Sequence, residues 1–179
     1  MTDSNTYVSL FKNHEAYEAA EQSGSLTTVS HCVGENEIHY HEEKEPGNVI
    51  RYTAAEQLEE GAYGFQPSMF GDAVLVDHTF VDGVGTITFD KDITEIVLGA
   101  INDSFGVLTS LEIPATVEAI ENIGGGSNLE SVTVLAKVPP TVDENLHIGN
   151  GDVTIYVPEE SLSAYRNTPG WNNYIIRTV

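Results

Sequence analysis

The chain has 179 residues and a formal net charge of -21, because 28 Asp and Glu residues outnumber 7 Lys and Arg residues. Acidic side chains are spread along the whole chain, so nucleic acid and anionic membrane surfaces would be repelled as partners. Cys32 is the single cysteine, which excludes an intramolecular disulfide and a cysteine-based zinc cluster.

The first segment, MTDSNTYVSLFKNHEAYEAA, has neither the cationic start nor the apolar run of a secretory signal. Nowhere does the chain hold about eighteen consecutive apolar residues. We therefore expect a protein that is made and kept in a cytoplasm, without membrane insertion. The helical spacing of Leu10, Phe11 and Tyr17 predicts a short amphipathic helix over residues 10–20, which stops at Gly24.

A β-hairpin is predicted next, because polar and apolar residues alternate over 28–33 and 37–41 on either side of a Gly-Glu-Asn turn. His39 and His41 would share one face of its second strand, and His31 could join them across the hairpin as a metal site. Solvated polar positions explain these histidines better, since no further ligand is fixed. Residues 46–72 mix a charge run with Pro and Gly, which predicts a connector and a module boundary.

An internal repeat follows from about Ala73. Five apolar positions recur after 24 residues, in the order Val84, Ile87, Phe89, Ile93, Ile96 and then Leu108, Leu111, Ile113, Val117, Ile120. A third block follows at an offset of 21, and the strand VTIYV continues the series. Each unit predicts two short strands around a turn, and stacked units would join their apolar side chains into continuous ladders, as in a solenoid.

The ends of such a stack must be covered, since they expose apolar ladders and strand edges. After Pro158 the chain predicts a helix and then a break at Pro169-Gly170. We predict that four residues form the core of a C-terminal cap: Leu162, Tyr165, Trp171 and Tyr174. The same aromatic residues could instead form a recognition patch for carbohydrate or protein, but a cap core is the preferred interpretation.

Enzymatic motifs are missing from the sequence: it has no Gly-x-Ser-x-Gly elbow and no His-Glu-x-x-His. Asp90, Asp92 and Glu95 lack the spacing of a calcium loop, so we interpret them as a solvated turn. The run Gly124 to Gly126 predicts a turn with positive backbone angles rather than a phosphate loop. We therefore predict a non-enzymatic protein with no catalytic residue, no cofactor and no metal. The alternative is a carbohydrate-active enzyme that uses acidic residues of the connector.

Three strings resemble the BspA-like leucine-rich repeats of gut Bacteroidales proteins: LTSLEIPATVEAIENI, NLESVTVLAKVPPTV and IYVPEESLSAYRNTPGWNNY. The resemblance covers about half of the chain, although the Ala-Phe and Cys of the usual repeat coil are echoed only at Ser104-Phe105. It implies a mainly β fold, with a short leucine-rich-repeat solenoid and its C-terminal helical cap over residues 73–179. The composition predicts that this domain presents an acidic surface, and a small α+β anchoring module is expected to precede it over residues 1–45.

The strings FKNHEAYEAA and TTVSHCVGENEIHYH resemble a leader module in structural proteins of Bacteroides-infecting phages. This resemblance implies that residues 1–45 anchor the chain to a capsid or tail and oligomerise. The implied anchoring contacts are Leu10, Phe11, Tyr17, Val29, Ile38 and Tyr40.

The same resemblance implies a virion structural protein of the head-fibre, capsid-decoration or fibre-tip type, assembled in the host cytoplasm and released by lysis. Its implied partners are other virion proteins, further copies of itself in a symmetric homo-oligomer such as a trimer, and a host-surface protein or glycan. The alternative is a cell-surface or secreted BspA-like adhesin that binds host protein or glycan.

Overall fold

A computed structural model describes residues 27–29, 40–42, 46–103, 106–124 and 126–179. The chain divides into two compact units, Met1–Glu45 and Pro46–Val179. In the first unit, strand β1 (Thr27–Val29) pairs antiparallel with strand β2 (Tyr40–Glu42). The antiparallel pairing agrees with the predicted hairpin, but its register is one residue away from the one that a three-residue turn at 34–36 gives. The turn itself and the predicted helix over 10–20 lie outside the described residues.

The second unit contains a mixed seven-stranded sheet. Its strands lie in the order β12 (Ile175–Thr178), β11 (Thr154–Val157), β9 (Ser131–Val134), β7 (Leu108–Ile113), β3 (Val49–Ala54), β5 (Val84–Phe89), β4 (Leu75–Val81). Strands β7, β9, β11 and β12 run parallel, whereas β3 is antiparallel to both of its neighbours. The predicted mainly β class is confirmed.

A smaller sheet consists of three parallel strands: β6 (Glu95–Ile96), β8 (Ala119–Ile120) and β10 (Thr141–Val142). Along the chain these strands alternate with the repeat strands of the large sheet. Each repeat unit therefore gives one strand to each sheet. In the large sheet, Leu111, Val132, Ile155 and Ile176 stand side by side in register, and each is at most 3 % exposed. Burial of one such side chain contributes about 1.5–3 kcal/mol, so this ladder is a major source of stability.

Residues 46–72 differ from the predicted connector, since they belong to the core of the second unit. Strand β3 lies near the middle of the large sheet, and Ile50, Tyr52, Phe65 and Phe70 are all buried. The sequence VIRYTA alternates as a strand should, but the Pro and Gly residues around it hid that signal. Strand β3 also separates β5 from β7, so the first two repeat strands run in the same direction without pairing.

The C-terminal end of the large sheet is covered by helix α1 (Leu162–Asn167) and a 3-10 turn (Trp171–Asn173). Both Tyr165 and Trp171 are fully buried, and their rings meet edge to face with centroids 5.3 Å apart. Leu162 and Tyr174 are partly buried and pack against the same core. All four residues of the predicted cap core therefore pack against one hydrophobic core. The edge strand β12, which follows them in the chain, was not predicted.

The phenol of Tyr165 supplies a pH dependence of stability. Its hydroxyl donates a hydrogen bond of 2.8 Å to the carbonyl of Ala136, and burial raises the pKa of Tyr165 well above the usual 10.0. Because the unfolded chain then loses this proton first, the stabilisation is complete below pH 10 and is lost as pH rises above it. We expect the free energy of unfolding to fall by up to about 1.4 kcal/mol per pH unit in this range.

Urea unfolding of Tyr165→Phe between pH 9 and 12 tests this expectation. The variant should lose part of the alkaline slope, but not all of it, because burial also raises the pKa of Tyr52 and Tyr174. An alkaline slope identical to that of the unsubstituted chain would show that Tyr165 has no such role.

Candidate contact surface on the large sheet

One face of the large sheet packs on the core, and on the other face the described side chains are half-buried or exposed. Because side chains alternate along each strand, the residues between the buried ones project from the open side. Two register rows cross it. The first row is Thr79, Thr86, Arg51, Glu112, Thr133, Tyr156 and Arg177, and the second is Val81, Val84, Thr53, Ser110, Ser131, Thr154 and Ile175. We call these two rows the outer face, and seven strands give it a width of about 29 Å.

Hydroxyl groups dominate the chemistry of the outer face. The Thr53 hydroxyl lies 2.7 Å from that of Thr109 and 2.6 Å from that of Ser110, so neighbouring strands are joined by hydroxyl contacts. Arg51 donates from Nη1 to Oε1 of Glu112 at 2.9 Å, with both side chains more than a third exposed. Such a pair adds little stability, but it holds both groups in fixed positions on the surface.

The charge of the outer face differs from the acidic surface that the composition led us to expect. Its two rows contain two guanidinium groups, those of Arg51 and Arg177, and one carboxylate, that of Glu112. Carboxylates are instead found beside the small sheet, where Glu95, Glu118 and Glu121 are exposed. The outer face is therefore polar and nearly neutral in a strongly acidic protein.

A polar groove of about 420 Å³ adjoins the outer face, where the coils lead into β9 and β11. Two of its amides are used to join successive units: Asn128 donates to the carbonyl of Gly106 at 2.6 Å, and Asn150 donates to that of Ser127 at 3.2 Å. These bonds keep the coils in step, so the groove has a fixed shape.

The coils approach each other so closely that they require glycine. A Cβ on Gly124 would lie 2.5 Å from the carbonyl oxygen of Ile101, and one on Gly126 would lie 2.5 Å from that of Asp103. Neither Gly124 nor Gly126 has a positive φ, so the predicted backbone angles are wrong for these two residues. Close packing of one unit's coil on the preceding one is the reason for glycine here.

We expect Gly126→Ala to lower the free energy of unfolding by about 1–2 kcal/mol, because the coil must move away from its neighbour. That movement would also weaken the hydrogen bonds that the buried carboxylate of Asp103 accepts from Val107 and Leu108 at 2.9 and 2.8 Å. Urea unfolding measures the change. Gly151→Ala is the comparison, because a Cβ at residue 151 would meet no atom within 4 Å, although the backbone there has a φ of +92. Gly151→Ala reports the cost of backbone strain without a packing clash, so a loss below about 0.5 kcal/mol for Gly126→Ala would contradict the packing explanation.

The other candidate site residues from the sequence are not part of the outer face or lie outside the described residues. Within the described ranges, no group of His, Cys, Asp and Glu side chains could hold a metal ion. Asp90 accepts a hydrogen bond of 2.8 Å from the backbone of Val74, which gives that carboxylate a structural role. Leu10, Phe11, Tyr17 and Ile38 lie outside the described residues, as do the side chains of His31, His39 and His41. For Val29 and Tyr40 the structure describes only the backbone, where the two pair directly.

Residues of the outer face were not found from the sequence. Arg51 was missed because residues 46–72 were interpreted as a connector, and Arg177 was missed because the tail was not recognised as a strand. The usable signal was the set of polar positions between buried ones in strands such as TIYV, which includes Tyr156.

No protein-family model matches the chain, and no curated protein is significantly similar to it. In the part of the chain that the structure describes, no helix is long and apolar enough to cross a membrane.

Proposed function

We propose that this chain is a non-enzymatic structural protein of a bacteriophage virion, whose second unit is a short BspA-like leucine-rich-repeat stack that contacts the host or the environment. The observation that carries this proposal is the arrangement of the repeats. Units spaced by 21 to 24 residues place β7, β9 and β11 side by side and parallel, and β6, β8 and β10 likewise in the small sheet. Repeat stacks of this kind commonly serve as rigid binding surfaces.

The first unit, Met1–Glu45, is proposed to attach the protein to other virion proteins and to bring copies together in a homo-oligomer such as a trimer. Support for this part comes from the phage-like strings quoted above. The protein would then be located in the virion, with the second unit projecting from a head or a tail.

The chemistry of the outer face suits recognition of a host protein or glycan. The ring of Tyr156 is half-buried between Thr133 and Arg177 in the same row. An aromatic ring offers a flat apolar surface, while hydroxyl and guanidinium groups donate and accept hydrogen bonds around it. Arg51 is already held by its bond to Glu112, so little of its side-chain entropy would be lost on binding.

Immunogold electron microscopy tests the location, with antibody against this protein applied to purified phage particles and to intact host cells. We expect gold on the heads or the tails of the particles, and the pre-immune serum is the control. Gold only on cells would identify a cell-surface adhesin instead and would refute the virion assignment.

A binding prediction tests the outer face itself. Fluorescently labelled protein with Tyr156→Ala and Arg177→Ala, which alter neighbouring residues on β11 and the edge strand β12, should bind host cells at least about tenfold more weakly, since aromatic and Arg side chains often dominate contact energies. The control is Leu98→Ala, which removes a side chain that is 62 % exposed and lies away from the outer face. Equal binding by the double variant and the control, with all proteins equally stable in urea, would exclude this face as the contact.

A further inference from the structure

Strand β4 forms one edge of the large sheet and pairs, among the described residues, with β5 alone. It is joined to β5 by a two-residue turn, Asp82-Gly83, in which φ is 51 and 84. In such a hairpin the residues that flank the turn form a hydrogen-bonded pair, and the pairs then alternate along the strands. The N–H and C=O groups of Thr79 and Val81 therefore point to β5, and those of His78 and Phe80 point outward from the sheet.

This edge has few of the features that usually prevent pairing with another strand. Between Leu75 and Val81 there is no Pro and no Lys, and Asp77 is the only carboxylate. Three exposed valines lie on or beside the edge: Val74, Val76 and Val81, with exposed fractions of 61, 63 and 65 %. The opposite edge, β12, is four residues long and carries an Arg, so β4 is the longer template.

The edge is also held rigidly by the core behind it. His78 Nε2 lies 2.7 Å from the Tyr52 hydroxyl, and the His78 ring meets Phe65 edge to face with centroids 4.9 Å apart. Phe80 stacks on the ring of Tyr52 with centroids 6.1 Å apart. These contacts fix the side chains of His78 and Phe80, whose backbone N–H and C=O groups point outward from the sheet. An added strand would therefore find the backbone groups already in place.

Charge around the edge indicates what kind of strand would fit. The hairpin of β4 and β5 carries the carboxylates of Asp77 and Asp82. Burial lowers the pKa of His78, and the nearby carboxylates of Glu60 and Asp77 partly offset that lowering. A second copy paired antiparallel along β4 would bring two such acidic hairpins together. A strand with basic side chains would instead be attracted.

We propose that the β4 edge binds an extended, basic segment of a partner protein by strand addition, with alternate apolar side chains of that segment covering the exposed valines. This interaction goes beyond the proposed function and does not depend on it. The virion assignment rests on residues 1–45 and on the end of the outer face around Tyr156 and Arg177, five or more strands away from β4, so either proposal can fail without the other.

The test uses the full chain labelled with nitrogen-15 and two synthetic peptides of about nine residues, in which Val and Thr alternate with Lys in one and with Glu in the other. We expect the Lys peptide to shift the amide resonances of His78 and Phe80 in a saturable manner. The amides of Thr79 and Val81 already bond to β5, so they should shift less and serve as an internal control. The Glu peptide should bind at least about tenfold more weakly, and salt should weaken the Lys peptide.

A charge variant sharpens the test. Asp77→Lys should weaken the Lys peptide by about tenfold, whereas Glu144→Lys, at an exposed position outside the hairpin, makes the same change of net charge and should not. Equal binding of both peptides, shifts that spare His78 and Phe80, or no shifts at all would each overturn the proposal. So would slow exchange of those two amides in the free protein, since another strand would then already cover the edge.

Discussion

Replacing Trp171 by alanine should lower the free energy of unfolding by about 3–5 kcal/mol, the range for removal of a buried indole. The side chain is fully buried in the C-terminal cap, and its Nε1 donates a hydrogen bond of 2.9 Å to the carbonyl of Pro140. The alanine variant would lose the apolar contacts with Tyr165 and leave that carbonyl without its partner. Urea unfolding followed by circular dichroism measures the loss.

The matched variant is Trp171→Phe, which keeps an aromatic ring against Tyr165 and removes the indole N–H. It should cost less than the alanine variant, by at least about 1–2 kcal/mol. Because the cap covers the last apolar ladder, Trp171→Ala should also aggregate at lower temperature than Ile175→Ala, which alters an exposed side chain. A loss below about 1 kcal/mol for Trp171→Ala would mean that the cap contributes little to the stability of the stack.

The repeat strands could be predicted because their apolar residues recur at offsets of 24 and then 21 residues. Val132 pairs with Leu111, as the offset of 21 predicts, and Ile155 pairs with Val132 in the strand that continues the series. The cap core was equally accessible, since Tyr165 and Trp171 are large aromatic residues in a segment that must cover the last ladder. Periodicity and the need to bury apolar surface were sufficient for these two features.

Strand β3 could not be predicted in the same way, because it belongs to no repeat. Its neighbours in the sheet, β5 and β7, lie 30 or more residues away in the chain, so no local pattern reveals the pairing of Arg51 with Glu112. The outer face depends on that pairing, since β3 joins the hairpin of β4 and β5 to the parallel strands. Long-range strand order is decided by packing, and the contact of Tyr52 with Gly85 shows how.

Gly85 and Tyr52 face each other on β5 and β3, and the ring of Tyr52 lies directly over the glycine. A Cβ at this position would overlap the ring, because it would fall inside contact distance of three ring atoms. Tyr52 is 1 % exposed, its ring stacks on Phe80, and its hydroxyl oxygen accepts a hydrogen bond of 3.1 Å from the backbone N–H of Leu58. Glycine at residue 85 is therefore what allows β3 to enter the sheet with a tyrosine facing the core.

We expect Gly85→Ala to cost about 3 kcal/mol, at the upper end for overpacking, because Tyr52 must leave its site. A double-mutant cycle identifies the cause. In a Tyr52→Phe background the ring remains, so the cost of Gly85→Ala should be unchanged; in a Tyr52→Leu background the space is freed, and the cost should fall by at least about 1 kcal/mol. If both backgrounds gave the same cost, the backbone preference of glycine, and not the ring, would explain its presence. Since β3 links the hairpin to the repeat strands, loss of the Tyr52 contact should also broaden the urea transition, which would report partial separation of the hairpin from the stack.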